Sequence, residues 1–214
     1  MHYTINNLNL IKKEINNISS NVNIVAVSKT FNFETIEPLF KNGHLHFGEN
    51  KVQEAVAKWS EIKKYNKNLQ LHMLGKLQTN KVKYAVPLFD YIHSLDNIKL
   101  AEKISSEQIK VQKKLKIFIQ VNIGNEKQKN GILKNEVKSF FDKCVEKLNL
   151  DIVGLMCIPP KENSNKDYFG EMMEIKKKIG LENLSMGMSS DYLDAIKAGS
   201  NFVRIGSKIF GDRN

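Results

Sequence analysis

Arginine is almost absent from this chain: of 33 basic side chains only Arg204 and Arg213 are arginine, both close to the C-terminus. A sequence that takes nearly all its positive charge from lysine reserves arginine for places that need a planar, permanently charged group. Arg204, inside the apolar run FVRIG, is such a place. Cysteine is scarce too. Cys144 and Cys157 are too few and too oddly spaced for a disulfide framework or a zinc site, and read as small buried packing residues. Long apolar runs are missing: no segment approaches the roughly 18 residues of a membrane span. The N-terminus, MHYTINNLNLIKKEI, lacks the h-region and cleavage site of a signal peptide. The expected location is the cytoplasm, with no membrane partner.

Negative charge is in deficit, giving a formal net charge of +10. The lysines, however, are scattered through expected helices such as KLQTNKVK, KKLK and EMMEIKKKIG, where solvated helix faces explain them. There is no aromatic-interleaved basic stripe, zinc-finger spacing or helix-turn-helix pattern, so nucleic acid is not an expected partner.

What is present is an alternation. Eight short apolar or β-branched runs occur: IVAVSKT (24–30), HLHFGEN (44–50), LQLHMLG (69–75), YIHSLD (91–96), LKIFIQVNIG (115–124), DIVGLMCIP (151–159), LSMGMS (184–189) and FVRIGS (202–207). Between them, FETIEPLFKNG, KVQEAVAKWSEIKKY, NIKLAEKISSEQIKVQKK and ILKNEVKSFFDKCVEKL carry apolar residues at helical spacing. Strand alternating with helix predicts parallel pairing, and eight units predict a closed (β/α)8 TIM barrel, one domain over residues 1–214. A preceding helix, with Leu8, Ile11, Ile15 and Ile18 on one face, is expected to cap the bottom of the barrel. The polar stretch KENSNKD after Pro159-Pro160 reads as a loop.

Active sites of such barrels lie at the C-terminal strand ends. Lys29 ends the first strand, where desolvation would lower its pKa and free a nucleophilic amine. Taken alone, it reads better as an ordinary strand-end lysine with its tip in solvent. The C-terminal segment shifts that balance. Gly187, Ser189, Gly206 and Ser207 form small-residue turns after strands seven and eight, where barrels frequently bind phosphate. Glu49 reads as a first-turn residue of the next helix or as a site residue. Lys76, Lys81 and Lys129 read as mouth lysines or as ordinary solvated ones. A metal reading from His44, His46, His72, His93 and Asp96 is weaker, because His44 and His46 open their strand, toward the stability end of the barrel.

The strings AVSKT, HFGENKVQE, HMLGKLQTNK, SLD, Glu126-x-x-Lys129-x-Gly131, GLMCIP and LSMGMSSDYLDAIKAGSNFVRIGSKIFG resemble the pyridoxal phosphate homeostasis protein family, which shares the barrel of alanine racemase. The resemblance implies pyridoxal 5′-phosphate (PLP) as cofactor, held as a Schiff base on Lys29. It implies that Ser189, Gly206 and Ser207 hold the phosphate, that Arg204 faces the pyridine nitrogen, and that Asn50 is a polar contact near the ring. Two positions depart from the family pattern: Phe31-Asn32 where Lys-Pro is usual, and Asn97 where arginine is common. An arginine beside the ring nitrogen weakens PLP as an electron sink. Racemisation further needs a second acid/base, which in racemases comes from a β-rich second domain. The chain ends four residues after Phe210, so the expected role is PLP binding and delivery without turnover, as a monomer, with PLP-dependent apo-enzymes as recipients. The alternative is a PLP-dependent racemase or related enzyme.

Overall fold

The computed structural model describes residues 2–126, 128–160 and 167–212; the KENSNK stretch expected as a loop and Arg213 lie outside them. Each of the eight apolar runs contributes one strand: β1 (Asn23–Val27), β2 (His46–Glu49), β3 (Gln70–Met73), β4 (Tyr91–Leu95), β5 (Lys116–Val121), β6 (Asp151–Cys157), β7 (Asn183–Ser185) and β8 (Phe202–Ile205). They pair in parallel in chain order, and β8 closes on β1 with Val25 beside Arg204 and Ala26 beside Ile205. The expected (β/α)8 barrel is therefore the observed one.

The helices are α1 (Tyr3–Asn16), α2 (Phe33–Lys41), α3 (Val52–Tyr65), α4 (Val82–Leu88), α5 (Ile98–Val111), α6 (Val137–Asp142), α7 (Tyr168–Ile179), α8 (Tyr192–Lys197) and α9 (Ser207–Phe210). Both departures from the family pattern have a local reason. Asn32 accepts a hydrogen bond from the Thr35 N–H at 3.1 Å, and Asn97 one from the Leu100 N–H at 2.9 Å. Each is the N-cap of its helix, a role that asparagine fills and arginine or proline cannot.

Three expectations need correction. KKLK and most of KLQTNKVK are not α-helical: residues 113–115 form a loop with Lys116 opening β5, and residues 76–78 lead into a 3-10 turn (Thr79–Lys81) before α4. The segment ILKNEVKSFFDKCVEKL is not one helix but a 3-10 turn (Lys134–Glu136), α6 and a π-helical turn (Lys143–Lys147). The N-terminal helix lies along the side of the barrel, and only its C-terminal end, with Lys12 and Ile15, reaches the floor. α1 packs against α2, α8 and α9, with Tyr3 and Asn7 side chains donating to the Phe210 and Ile209 carbonyls. Among the described residues the element after β8 is the four-residue α9, and α1 packs beside it in the outer ring. It ends before Ile18, which is exposed, so its buried stripe is Leu8, Ile11 and Ile15.

The main apolar core lies between the strands and this ring, and includes Leu39, Phe47, Trp59, Leu71, Ile117 and Leu155. The barrel interior is different. Bulky aliphatics usually fill it, whereas here rings dominate: His72 stacks on Tyr91 and His93 on Phe118, both at 4.3 Å, with Phe202 edge-on to Phe118 at 5.2 Å.

Candidate functional site

The six residues singled out from the sequence occupy one arc of the barrel mouth. Ser189 follows β7, Arg204 lies in β8 with Gly206 and Ser207 just beyond it, Lys29 follows β1, and Asn50 follows β2. β7, β8, β1 and β2 are consecutive neighbours in the closed sheet.

The turn carrying Lys29 is tightly braced. Ser28 is buried, its N–H donating to the Gly48 carbonyl at 2.9 Å and its hydroxyl to Glu49 Oε1 at 2.8 Å. Lys29 is half-buried. Thr30 adopts φ +70°, a left-handed conformation costly for a β-branched residue. Its N–H donates to Glu54 Oε1 at 2.5 Å, and Lys58 Nζ donates to the Ser28 carbonyl at 2.9 Å. The two sides of the turn are thus held by charged partners from α3.

Glu49 anchors this bracing. It is the last residue of β2, fully buried, and one oxygen accepts from Ser28, from Lys58 at 2.9 Å and from Trp59 Nε1 at 2.9 Å. The first-turn reading of Glu49 is therefore wrong, since α3 starts at Val52. Sequence reasoning missed Glu54, Lys58 and Trp59; the only signal was the helical spacing that puts Glu54 and Lys58 on one face of α3.

Arg204 is buried and reaches across two strands. Its Nη1 donates to Ser185 Oγ at 2.7 Å and its Nη2 to the Cys157 carbonyl at 2.9 Å. Burial pulls its pKa below the ordinary guanidinium value. The neighbouring Cys157 thiol is pushed up to about 12, chiefly by burial, and stays protonated. Both cysteines are buried and free, as packing residues.

The turns after β7 and β8 meet. The Lys208 N–H, in the first turn of α9, donates to Ser189 Oγ at 3.4 Å, and the Arg204 N–H donates to the Gly187 carbonyl at 3.0 Å. Gly187 has φ +92°, and a Cβ there would sit 2.7 Å from Ala195 Cβ and 2.8 Å from Tyr192 Cα, so no side chain fits. Gly206 is buried and Ser207 exposed. Half-buried Asn50 is overlaid by the β3 exit loop. A Cβ at Gly75 would lie 2.2 Å from its carbonyl oxygen, a close approach that requires glycine. Beside it a cavity of about 320 Å³ is lined by Asn50, Lys51, Gln53, Lys76 and Lys81. Lys129, the third expected mouth lysine, is paired with Glu126 at 2.5 Å.

The histidines do not assemble with Asp96 as a ligand set. His44 and His46 lie at the floor beside Lys12 and Asn23. His72 and His93 are buried in the barrel and bonded to other rings, and Asp96 accepts from Asn97 at 2.6 Å. Burial, with His46 and Lys12 nearby, pushes His44 down to about 4, and burial drives His72 and His93 well below their ordinary value.

This arrangement fits a phosphorylated aldehyde with an aromatic nitrogen. Along neighbouring strand ends the arc brings together Ser189 after β7, Arg204 with the Gly206-Ser207 turn on β8, and Lys29 after β1: hydroxyls and small-residue turns, a guanidinium, and a lysine. Residues 4–214 match the model of the alanine racemase N-terminal domain. The chain is 37% identical over 226 residues to the pyridoxal phosphate homeostasis protein of Haemophilus influenzae, covering 97% of this chain and 95% of that one. It is 37% identical over 199 residues to that of Aquifex aeolicus, covering 89% and 86%. PipY of Synechococcus elongatus PCC7942, solved with PLP bound, superposes with a TM-score of 0.85 at 31% identity, over 97% of this chain and 100% of that one. Alanine racemase of Clostridium difficile shares the fold, with a TM-score of 0.74 at 16% identity, over 99% of this chain and 57% of the racemase. The chain belongs to the pyridoxal phosphate homeostasis protein family, built on the alanine racemase N-terminal domain.

Proposed function

We propose that residues 1–214 act as one PLP-binding domain that takes part in intracellular PLP homeostasis, with the cofactor held as a Schiff base on Lys29. The observation that carries this reading is the arc of four adjacent strand ends that gathers Lys29, Asn50, Arg204, Ser189, Gly206 and Ser207. The PLP-bound state of PipY, at 31% identity, supports it. Ser189 and the Gly206-Ser207 turn would hold the phosphate, where small residues let an anion approach the backbone and hydroxyls at the start of α9. Arg204 would face the ring nitrogen, and Asn50 would contact the ring edge. When bound, PLP supplies an electrophilic carbonyl and an electron sink. The residues of this chain bind it, orient it and, through Arg204, keep the ring nitrogen unprotonated, because a permanent cation disfavours a second one.

The same reading makes the protein a cytoplasmic monomer that stores and hands over cofactor to PLP-dependent apo-enzymes rather than turning over substrate. Relatives named for homeostasis match along 86% and 95% of their lengths, whereas the racemase match reaches 57%. The test is the absorption spectrum of purified protein saturated with PLP. A visible band of bound cofactor, lost in Lys29→Ala with the fold intact by circular dichroism, is the expected result. The same band in Lys29→Ala would place the attachment elsewhere. Racemase turnover above about 1 s⁻¹, an ordinary enzymatic rate, would overturn the non-catalytic role.

A further inference from the structure

A continuous chain of hydrogen bonds runs through the barrel. His46 Nδ1 lies 3.0 Å from His72 Nε2, and His72 Nδ1 lies 3.0 Å from His93 Nε2. His93 Nδ1 is 2.9 Å from Ser185 Oγ, which also receives Arg204 Nη1 at 2.7 Å. The lower end opens on a floor cavity of about 270 Å³ lined by Lys12, Ile15, Asn23, His44 and His46. At the upper end Arg204 is buried, and among the described residues no carboxylate forms an ion pair with it; its partners are Ser185 and a carbonyl. A buried charge without a counter-ion needs compensation from fixed dipoles.

Simple counting fixes the direction of the chain. A neutral imidazole has one N–H and one lone pair, a hydroxyl has one hydrogen, and a guanidinium only donates. If the imidazoles donated upward, Ser185 would receive from both His93 and Arg204, and its own hydrogen would have no acceptor in the chain. The positive ends of three ring dipoles would also face a cation. If they donate downward, Ser185 accepts from Arg204 and donates to His93 Nδ1. His93 Nε2–H then donates to His72 Nδ1, and His72 Nε2–H to His46 Nδ1, leaving His46 Nε2–H for the floor. Every hydrogen above the floor is used, and every dipole turns its negative end toward the guanidinium, where a low dielectric makes the effect large.

We propose that Ser185, His93, His72 and His46 form a one-way hydrogen-bonded column that positions Arg204 from beneath and stands in for its missing counter-ion. These four are positioning residues. Their effect on the cofactor rests on the PLP reading above, whereas the direction of the column does not.

Two experiments separate those layers. Nitrogen-15 NMR of the cofactor-free protein should show His46, His72 and His93 all as neutral Nε2–H tautomers, with N–H···N couplings between successive rings. An Nδ1–H tautomer or an imidazolium at His72 or His93 overturns the column whether or not PLP binds. In PLP-loaded protein, Ser185→Ala should weaken binding about tenfold or more, as for loss of a bond to a charged group, and shift the absorption band, with Ser185→Thr restoring both. An unchanged affinity and spectrum in a folded Ser185→Ala protein overturns the positioning role while leaving PLP binding at Lys29 standing. Failure of the wild type to bind PLP removes the cofactor reading alone.

Discussion

Glu49 and Lys58 show how a few residues hold the Lys29 turn in place. The carboxylate is fully buried and the Lys58 side chain only 8% exposed, and together they clamp the turn on which Lys29 sits. Removing one partner of such a buried pair strands the other, so Glu49→Ala should cost about 3 kcal/mol in urea unfolding. Glu49→Gln, which keeps an acceptor for Ser28 and Trp59, should cost less. Equal stability of Glu49→Ala and wild type would show that the clamp is incidental. Lys29 and Arg204 were legible in the sequence because each stands out locally, one as a charge ending an apolar strand and the other as a rare residue type within one. Glu49 was not, because a carboxylate three residues before a helix has the same local pattern whether it faces solvent or the core. The histidine column was hidden for a related reason: strand alternation places His72 and His93 inside the barrel but does not say what their nitrogens meet.

Among the elements, α1 occupies the position least foreseeable from its own residues. Its helical stripe, Leu8, Ile11 and Ile15, was readable, but periodicity gives the buried face and not the surface against which it docks. That surface is formed by α2, α8 and the short α9. Leu8→Ala should therefore destabilise the protein by about 2–5 kcal/mol, the usual range for a buried leucine, while the folded fraction keeps its PLP spectrum. A spectrum altered in proportion to the lost stability would mean that α1 also shapes the mouth. At the N-cap of α5, Asn97→Ala should cost about 1 kcal/mol by thermal unfolding. No change would leave the departure from the family's usual arginine without its structural reason. The strand order needed no such help: eight apolar runs separated by helical ones leave few alternatives to a closed parallel barrel.

For the molecule as a whole, keeping histidines neutral inside the barrel links stability to acidity. Burial holds the pKa of His44, His72 and His93 below the ordinary 6.5, to about 4 for His44. Below pH 6.5 the unfolded chain therefore binds protons that the folded protein refuses. The stabilising effect of these neutral rings is complete above pH 6.5 and declines as pH falls from there toward the folded values. The decline is about 1.4 kcal/mol per histidine per pH unit. Urea midpoints should drop steeply between pH 6.5 and pH 5, and a flat profile would contradict the buried neutral rings. At its narrowest, the proposed function puts PLP on one lysine of this barrel. Borohydride reduction of PLP-saturated protein followed by peptide mass mapping should find a single phosphopyridoxyl adduct, on Lys29; an adduct at a different lysine, or none, would contradict the account.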